Sequence, residues 1–233
     1  MKSAYRSLVC LTISVLGFSL TMPLMAATIF DNTSNDLLTR FNPGALEVGD
    51  EIILAGSDRN LTDFSFEYWG ANSIHPDSFT GTIEARVQFY LNNGTPSFNG
   101  YATPGTSFYD SGFFSVPTPT TRSTFDFTAG VDFPAWGLVM PAVSNMTWSV
   151  QFVGMGAGDS VGLDIYSPPT VGQDYPDYWQ NNGGAGWALM TNTPPMDFAA
   201  RMDATVPEPS TLALAVVGGL GLLVFARRFG RKE

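Results

Sequence analysis

Residues 82–91 read "TIEARVQFYL". Ile83, Ala85, Val87, Phe89 and Leu91 fall on one side of this stretch, and Thr82, Glu84, Arg86 and Gln88 on the other. Successive side chains point to opposite sides only in an extended chain, so this alternation predicts a half-buried β-strand. The same two-residue period recurs in "TDFSFEY" (62–68), "TWSVQF" (147–152), "VGLDIY" (161–166) and "MDFAARM" (196–202). Shorter candidates are "EIILA" (51–55), "SFYDSGFFSV" (107–116), "STFDFT" (123–128) and "AWGLVM" (135–140).

Turn-forming residues separate these runs, as in "LNNGTPSFNG", "VPTPTTR", "MGAGDS", "SPPTVGQDYP" and "QNNGGAG". Eight to eleven short strands with such punctuation predict an antiparallel β-sandwich, each sheet keeping one wet face. Jelly-roll-like and immunoglobulin-like strand orders fit equally well. No long helical period and no internal repeat interrupts residues 28–205.

The two ends have a different character. Lys2 and Arg6 precede the apolar run Leu8 to Leu20 and then "TMPLMAA". A charged start, an apolar centre and small residues at the end predict a signal peptide over 1–27, with Ala26 or Ala27 at the cleavage point. The run is short for a membrane span. The single cysteine, Cys10, lies inside it. The body of the chain therefore lacks disulfides and thiol chemistry, and its 178 residues must be held by a packed core.

Within 28–205 five arginines face nineteen acidic residues, a net charge of −14, and there is no lysine. Such a surface repels phosphate backbones and excludes nucleic-acid binding as a function class. It suits an exported protein and, in places, divalent cations.

The chain closes with "VPEPSTLALAVVGGLGLLVFARRFGRKE" (206–233). Leu212 to Ala226 is apolar or glycine throughout. Counted from Ser210, the segment makes a helix of about 25 Å, slightly short of the roughly 30 Å hydrocarbon core of a bilayer. The arginines behind it predict a transmembrane helix over 210–226 with a basic cytoplasmic tail over 227–233. Pro207 and Pro209 lack amide donors and hold Val206 to Pro209 extended, a form a protease can read.

Val206, Pro207, Glu208 and Pro209, followed by an apolar helix and then Arg227 and Arg228, resemble the PEP-CTERM sorting signal of Gram-negative, exopolysaccharide-producing bacteria. The resemblance covers about the last 28 residues. It implies export through the Sec machinery and recognition by an exosortase, a membrane enzyme that cleaves near the motif. A precursor facing outward and a mature protein at the cell surface or in the extracellular matrix would follow.

Catalytic sets are hard to assemble from the remaining residues. His75 is the only histidine and sits in the loop "ANSIHPD", without a nucleophile elbow or an orienting partner. One histidine without cysteine cannot build a zinc centre. Glu67 and Glu84 lie on polar sides of neighbouring strand candidates, and a glycosidase would need such a pair at close range. No organic cofactor is expected.

Asp159, Asp164, Asp174 and Asp177 sit in turn-rich stretches and are the candidate calcium ligands, although Asx residues also occupy turns for backbone reasons. Tyr175, Tyr178, Trp179 and Trp187 gather around Gly and Asn and are candidate sugar-stacking rings; the ordinary alternative is that the tryptophans fill the core edge. Sequons begin at Asn60 and Asn145. The leading expectation is a non-catalytic surface or matrix protein that contacts exopolysaccharide. A secreted glycan hydrolase, or a matrix component without a discrete ligand, is the alternative.

Overall fold

The computed structural model describes residues 26–98, 100–142, 145–193 and 195–206. Residues 1–25 of the expected signal peptide (1–27), and the expected transmembrane helix (210–226) with its basic tail (227–233), lie outside them. Among the described residues no helix is long and apolar enough to cross a membrane.

Among the described residues sixteen strands follow one another. The first eight are β1 (Ala27–Asp31), β2 (Asp36–Phe41), β3 (Glu47–Ile53), β4 (Asn60–Asn72), β5 (Glu84–Tyr90), β6 (Gly94–Phe98), β7 (Tyr101–Thr103) and β8 (Ser107–Ser115). The rest are β9 (Thr120–Thr128), β10 (Leu138–Val139), β11 (Asn145–Val153), β12 (Asp159–Tyr166), β13 (Gln173–Asp174), β14 (Asp177–Asn181), β15 (Trp187–Thr191) and β16 (Ala200–Thr205). All the strand pairings are antiparallel. The count exceeds the expected eight to eleven because β1, β2 and the short hairpin strands carry little alternation.

In the first sheet β4 is the spine. One edge of β4 pairs with β9 and β10. Its other edge is shared end to end by β16 and β12, which pair outward with β1 and β2. In the second sheet the order is β15-β14-β3-β11-β5-β8, with β13 also on β3. The chain alternates between the sheets from β2 to β5 and again from β8 through β9, β11 and β12. The hairpin β6–β7 forms a separate two-stranded unit.

Periodicity explains which side each residue takes. Ile83, Ala85, Val87 and Phe89 are buried, whereas Glu84, Arg86 and Gln88 are only partly covered. Phe64 and Phe66 of β4 face them from the other sheet. The Phe64 ring meets Phe89 edge-on at 5.0 Å and Trp148 of β11 at 5.5 Å between centroids. Trp148 is fully buried and also meets Phe198. Aromatic pairs of this kind add about 0.5–1.5 kcal/mol each beyond the area they bury.

Close strand approach requires glycine at Gly162 of β12. A Cβ there would lie 1.9 Å from the Phe41 carbonyl oxygen of β2. That contact holds β2 against β12 and sets the register that carries Arg40 beside Asp164.

The buried Trp148 indole N–H has no hydrogen-bond partner. Its contribution is therefore volume and ring contact. Trp148→Ala should destabilise the protein by about 3–5 kcal/mol. Trp148→Phe keeps most ring contacts and removes the orphan donor, and should cost less than half of that. Denaturant melts of the two variants test this; equal losses would show that the contacts described are not what stabilises the core.

Candidate functional site

The outer face of the second sheet carries an unexpected polar layer. Glu47 and Glu51 of β3 point away from the core, and both are buried. Glu47 accepts hydrogen bonds from Tyr90 Oη at 2.9 Å, Ser149 Oγ at 2.6 Å and Asn181 Nδ2 at 2.9 Å. Glu51 accepts from Trp179 Nε1 at 3.3 Å and Asn145 Nδ2 at 3.1 Å. Gly49 lies between them, and a Cβ there would meet Thr147 Cγ2 at 2.7 Å.

The four expected stacking rings separate on this strand pair. β14 and β15 form a hairpin in which Trp179 pairs with Leu189 and Asn181 with Trp187. Tyr178 faces inward against Phe41 and Phe198. Trp179 faces outward yet is fully buried, with Phe98 of the β6–β7 hairpin edge-on at 5.9 Å. Neither ring has a free face for a sugar, and Trp179 takes the alternative role of filling the core edge. Both are buried because β14 is covered on both faces. Tyr175 and Trp187 stay half-buried, edge-on to Tyr101 and Tyr90 respectively.

The candidate calcium ligands also part company. Asp159 accepts the amide protons of Thr80, Gly81 and Gly156 and the Asn72 side-chain amide at 2.6–3.0 Å. These donors outweigh the desolvation that would raise its pKa and hold it down at about 2. A carboxylate so capped is a loop staple and has no lone pair to spare for a cation. Asp164 is buried on the outer face of the first sheet, 3.5 Å from Arg40 and 3.8 Å from Arg122. Asp164 is thus paired with arginine and Asp159 with amide donors.

Arg122 also reaches Asp36 at 2.5 Å and Glu67 at 3.3 Å, and Glu67 accepts from Tyr166 Oη at 2.8 Å. Glu67 belongs to β4 of the first sheet and Glu84 to β5 of the second. The fold thus places these two carboxylates on different sheets. His75 is exposed on its loop. Both sequon asparagines are engaged: Asn60 donates to the Trp136 carbonyl and Asn145 to Glu51.

Asp174 and Asp177 lie on different faces. Asp177 neighbours Glu51, after burial the main cause of its raised pKa. Asp174 instead joins Asp50 and Asp197, two residues absent from the sequence-based candidates. Burial raises all three; Asp197 and Asp174 repel Asp50, Asp197 repels Asp174, and Asp177 repels Asp197, which a Ser167 hydrogen bond partly offsets. Asp174 is pushed up to about 7 and Asp197 to about 6. A signal for Asp50 was present in "EVGDEII", where it alternates with Val48 and Ile52 and so faces the core.

The chain leaves the fold at one end of the first sheet. β16 pairs with β1 from Ala27↔Ala204 to Asp31↔Arg201, and Thr205 pairs with Asn60. Val206 follows immediately and is exposed. Trp136 and Val139, also exposed, border the same end, since Val139 pairs with Asn60. A sequence model of the PEP-CTERM protein-sorting motif matches residues 205–232. The chain carries a PEP-CTERM sorting motif.

This PEP-CTERM motif implies export and processing by an exosortase. Its first matched residue is the last residue of β16. No curated protein and no solved structure matches the chain.

Acid stability follows from the two kinds of aspartate. Asp174 and Asp197 bind protons more readily in the folded chain than unfolded, so stability falls as pH rises from about 4 to about 7. Asp36, Asp110, Asp159 and Asp203 have lowered pKa values from arginine or amide partners. Their contribution is lost on acidification below about pH 4. With divalent ions chelated, melting temperature should peak at about pH 4. A melting temperature that climbs steadily from pH 5 to 8 would contradict this.

Proposed function

We propose that the chain is an exported, non-catalytic protein of the cell surface or extracellular matrix, delivered through its PEP-CTERM signal, whose β-rich body contacts exopolysaccharide. The observation that carries the reading is the position of the motif. It begins where the last strand of a closed body ends, with no linker domain between fold and signal. The body then stands directly over the membrane while the precursor is anchored. The exposed Trp136 at the exit end suits the headgroup layer, where tryptophan is enriched.

Strand order supports a jelly-roll architecture over an immunoglobulin-like one. β2-β12-β4-β9 opposes β3-β11-β5-β8, and consecutive strands switch sheets on both sides of the β5–β8 pair. Jelly rolls serve many lectin-like domains, an analogy of fold alone. A non-catalytic role is supported by how the carboxylates are used. Glu47 and Glu51 share one strand face, but roughly 13 Å of extended chain separates their Cα atoms, and each is tied to its own donors. Half-buried Tyr101, Tyr175 and Trp187, with exposed Asn182 beside them, are the rings left for a glycan.

Mass spectrometry of the protein recovered from its host tests the sorting reading. The mature form should begin at Ala27 or Thr28 and end between Pro207 and Ser210. A start at Ala27 keeps the β1–β16 ladder whole. Recovery of Glu233 in surface-exposed protein would make the tail an ordinary anchor. For the sugar reading, the mature protein should bind host polysaccharide and Trp187→Ala should weaken binding about tenfold, as loss of one stacked ring costs on the order of 1–3 kcal/mol. Wild-type protein that fails to bind, or a variant that binds equally, would remove that part.

A further inference from the structure

Three aspartates lie between the sheets with no positive partner. Asp50 of β3 is fully buried, and its Oδ2 accepts the Phe198 amide proton at 3.1 Å while Oδ1 meets no donor. Asp197, the residue before Phe198, is 1% exposed, and its Oδ1 also lacks a partner. Asp174 of β13, paired across from Ile52, has a buried Oδ2 in the same condition. No ion pair among the described residues involves any of the three.

Asn32 adds a fourth oxygen. It is buried, and its NH2 group donates to the carbonyls of Tyr166 at 2.9 Å and Phe198 at 3.3 Å. Its Oδ1 has no donor. Asp50, Asp197 and Asn32 thus all converge on the backbone of Phe198.

We infer that Asp50, Asp174 and Asp197, with the Asn32 amide oxygen, form a calcium site between the two sheets. Buried carboxylates without a counter-charge are costly, and each unpaired lone pair adds to the cost. A hard divalent cation satisfies all four oxygens together. The ligand set is oxygen only, which excludes the softer transition metals as the preferred ion. Its members come from four separate segments, and calcium accepts variable geometry with six to eight oxygens, whereas magnesium demands a near-ideal octahedron.

Among the described residues no three acidic, histidine or cysteine side chains already enclose a metal-sized position. A bound ion would draw the carboxylates inward. The site bridges the sheets: Asp50 and Asp174 come from the second, while Asn32 and Asp197 adjoin β1 and β16 of the first. Such an ion would cross-link the fold without a disulfide. The inference does not depend on the sugar-binding reading.

The test uses the full chain purified in detergent, with calcium chloride as the probe. Extracellular calcium modules bind with Kd of about 10⁻⁴–10⁻³ M, so about 10 mM calcium should saturate the site. Relative to chelator, it should raise the melting temperature by several degrees, and elemental analysis should find one calcium per chain. Asp50→Asn and Asp197→Asn should each abolish the rise. In chelator, Asp50→Asn should melt at or above wild type, because it removes an uncompensated charge. Asp177→Asn, on the outer side, should keep the full rise. Absence of calcium and of any shift in the wild type overturns the inference, and so does a full shift in both inner variants. If Asp50→Asn fails to fold, Asp197→Asn and the metal content decide.

Discussion

The edge-on meeting of Phe64 with Phe89 and Trp148 joins the two sheets, and the rest of the structure is arranged around it. The body contains no cysteine, and most of its arginine ion pairs lie on outer faces. Cohesion between the sheets therefore depends on apolar contact, which has no directional preference of its own. Direction comes from the backbone: β4 runs through the first sheet as one long strand and presents Phe64, Phe66 and Tyr68 in a row. Strands of both sheets then find their places by matching alternation to that row.

Acidic residues show how far surroundings decide the behaviour of a single side-chain type. Asp159 is wrapped in amide donors and is a loop staple. Asp164 is neutralised by arginine on an outer face. Asp50 has only one donor and sits among like charges. The three differ little in local sequence, since each lies in a strand rich in Val, Ile or Leu. What distinguishes them is the side of the strand they occupy and which segment crosses there.

That distinction also marks where the sequence is legible. Alternation in residues 83–89 names the inner face without help, and β4, β11 and β12 follow in the same way. The sorting signal is legible because it depends on local chemistry: two prolines, an apolar run and arginines in order. Trp179 was legible as a core-edge candidate, but what would cover it was not. Its outer face is closed by Phe98, about eighty positions earlier in the chain, and no local pattern encodes that hairpin. Asp50 was partly legible, since Val48 and Ile52 place it inward, but its companions Asp174 and Asp197 are assembled only by the crossing of β13 and the approach to β16. Glu67 and Glu84 looked like neighbours because their strands are consecutive, yet consecutive strands here belong to opposite sheets.

The pairing of β1 with β16 imposes an order on biogenesis. Ala27 is among the first residues of the body to leave the export channel, and its partner Ala204 is among the last. The first strand must wait, unpaired on one edge, until nearly the whole chain has crossed. The central strand β4 gains its β16 neighbour at that same late moment. Completion of the first sheet and emergence of the sorting motif are therefore one event, separated by a single residue of chain. A body that stalls before closing the sheet would leave Thr205 without its Asn60 partner, whereas a finished one holds it in the ladder. The first sheet and the sorting motif thus share one stretch of chain, the end of β16.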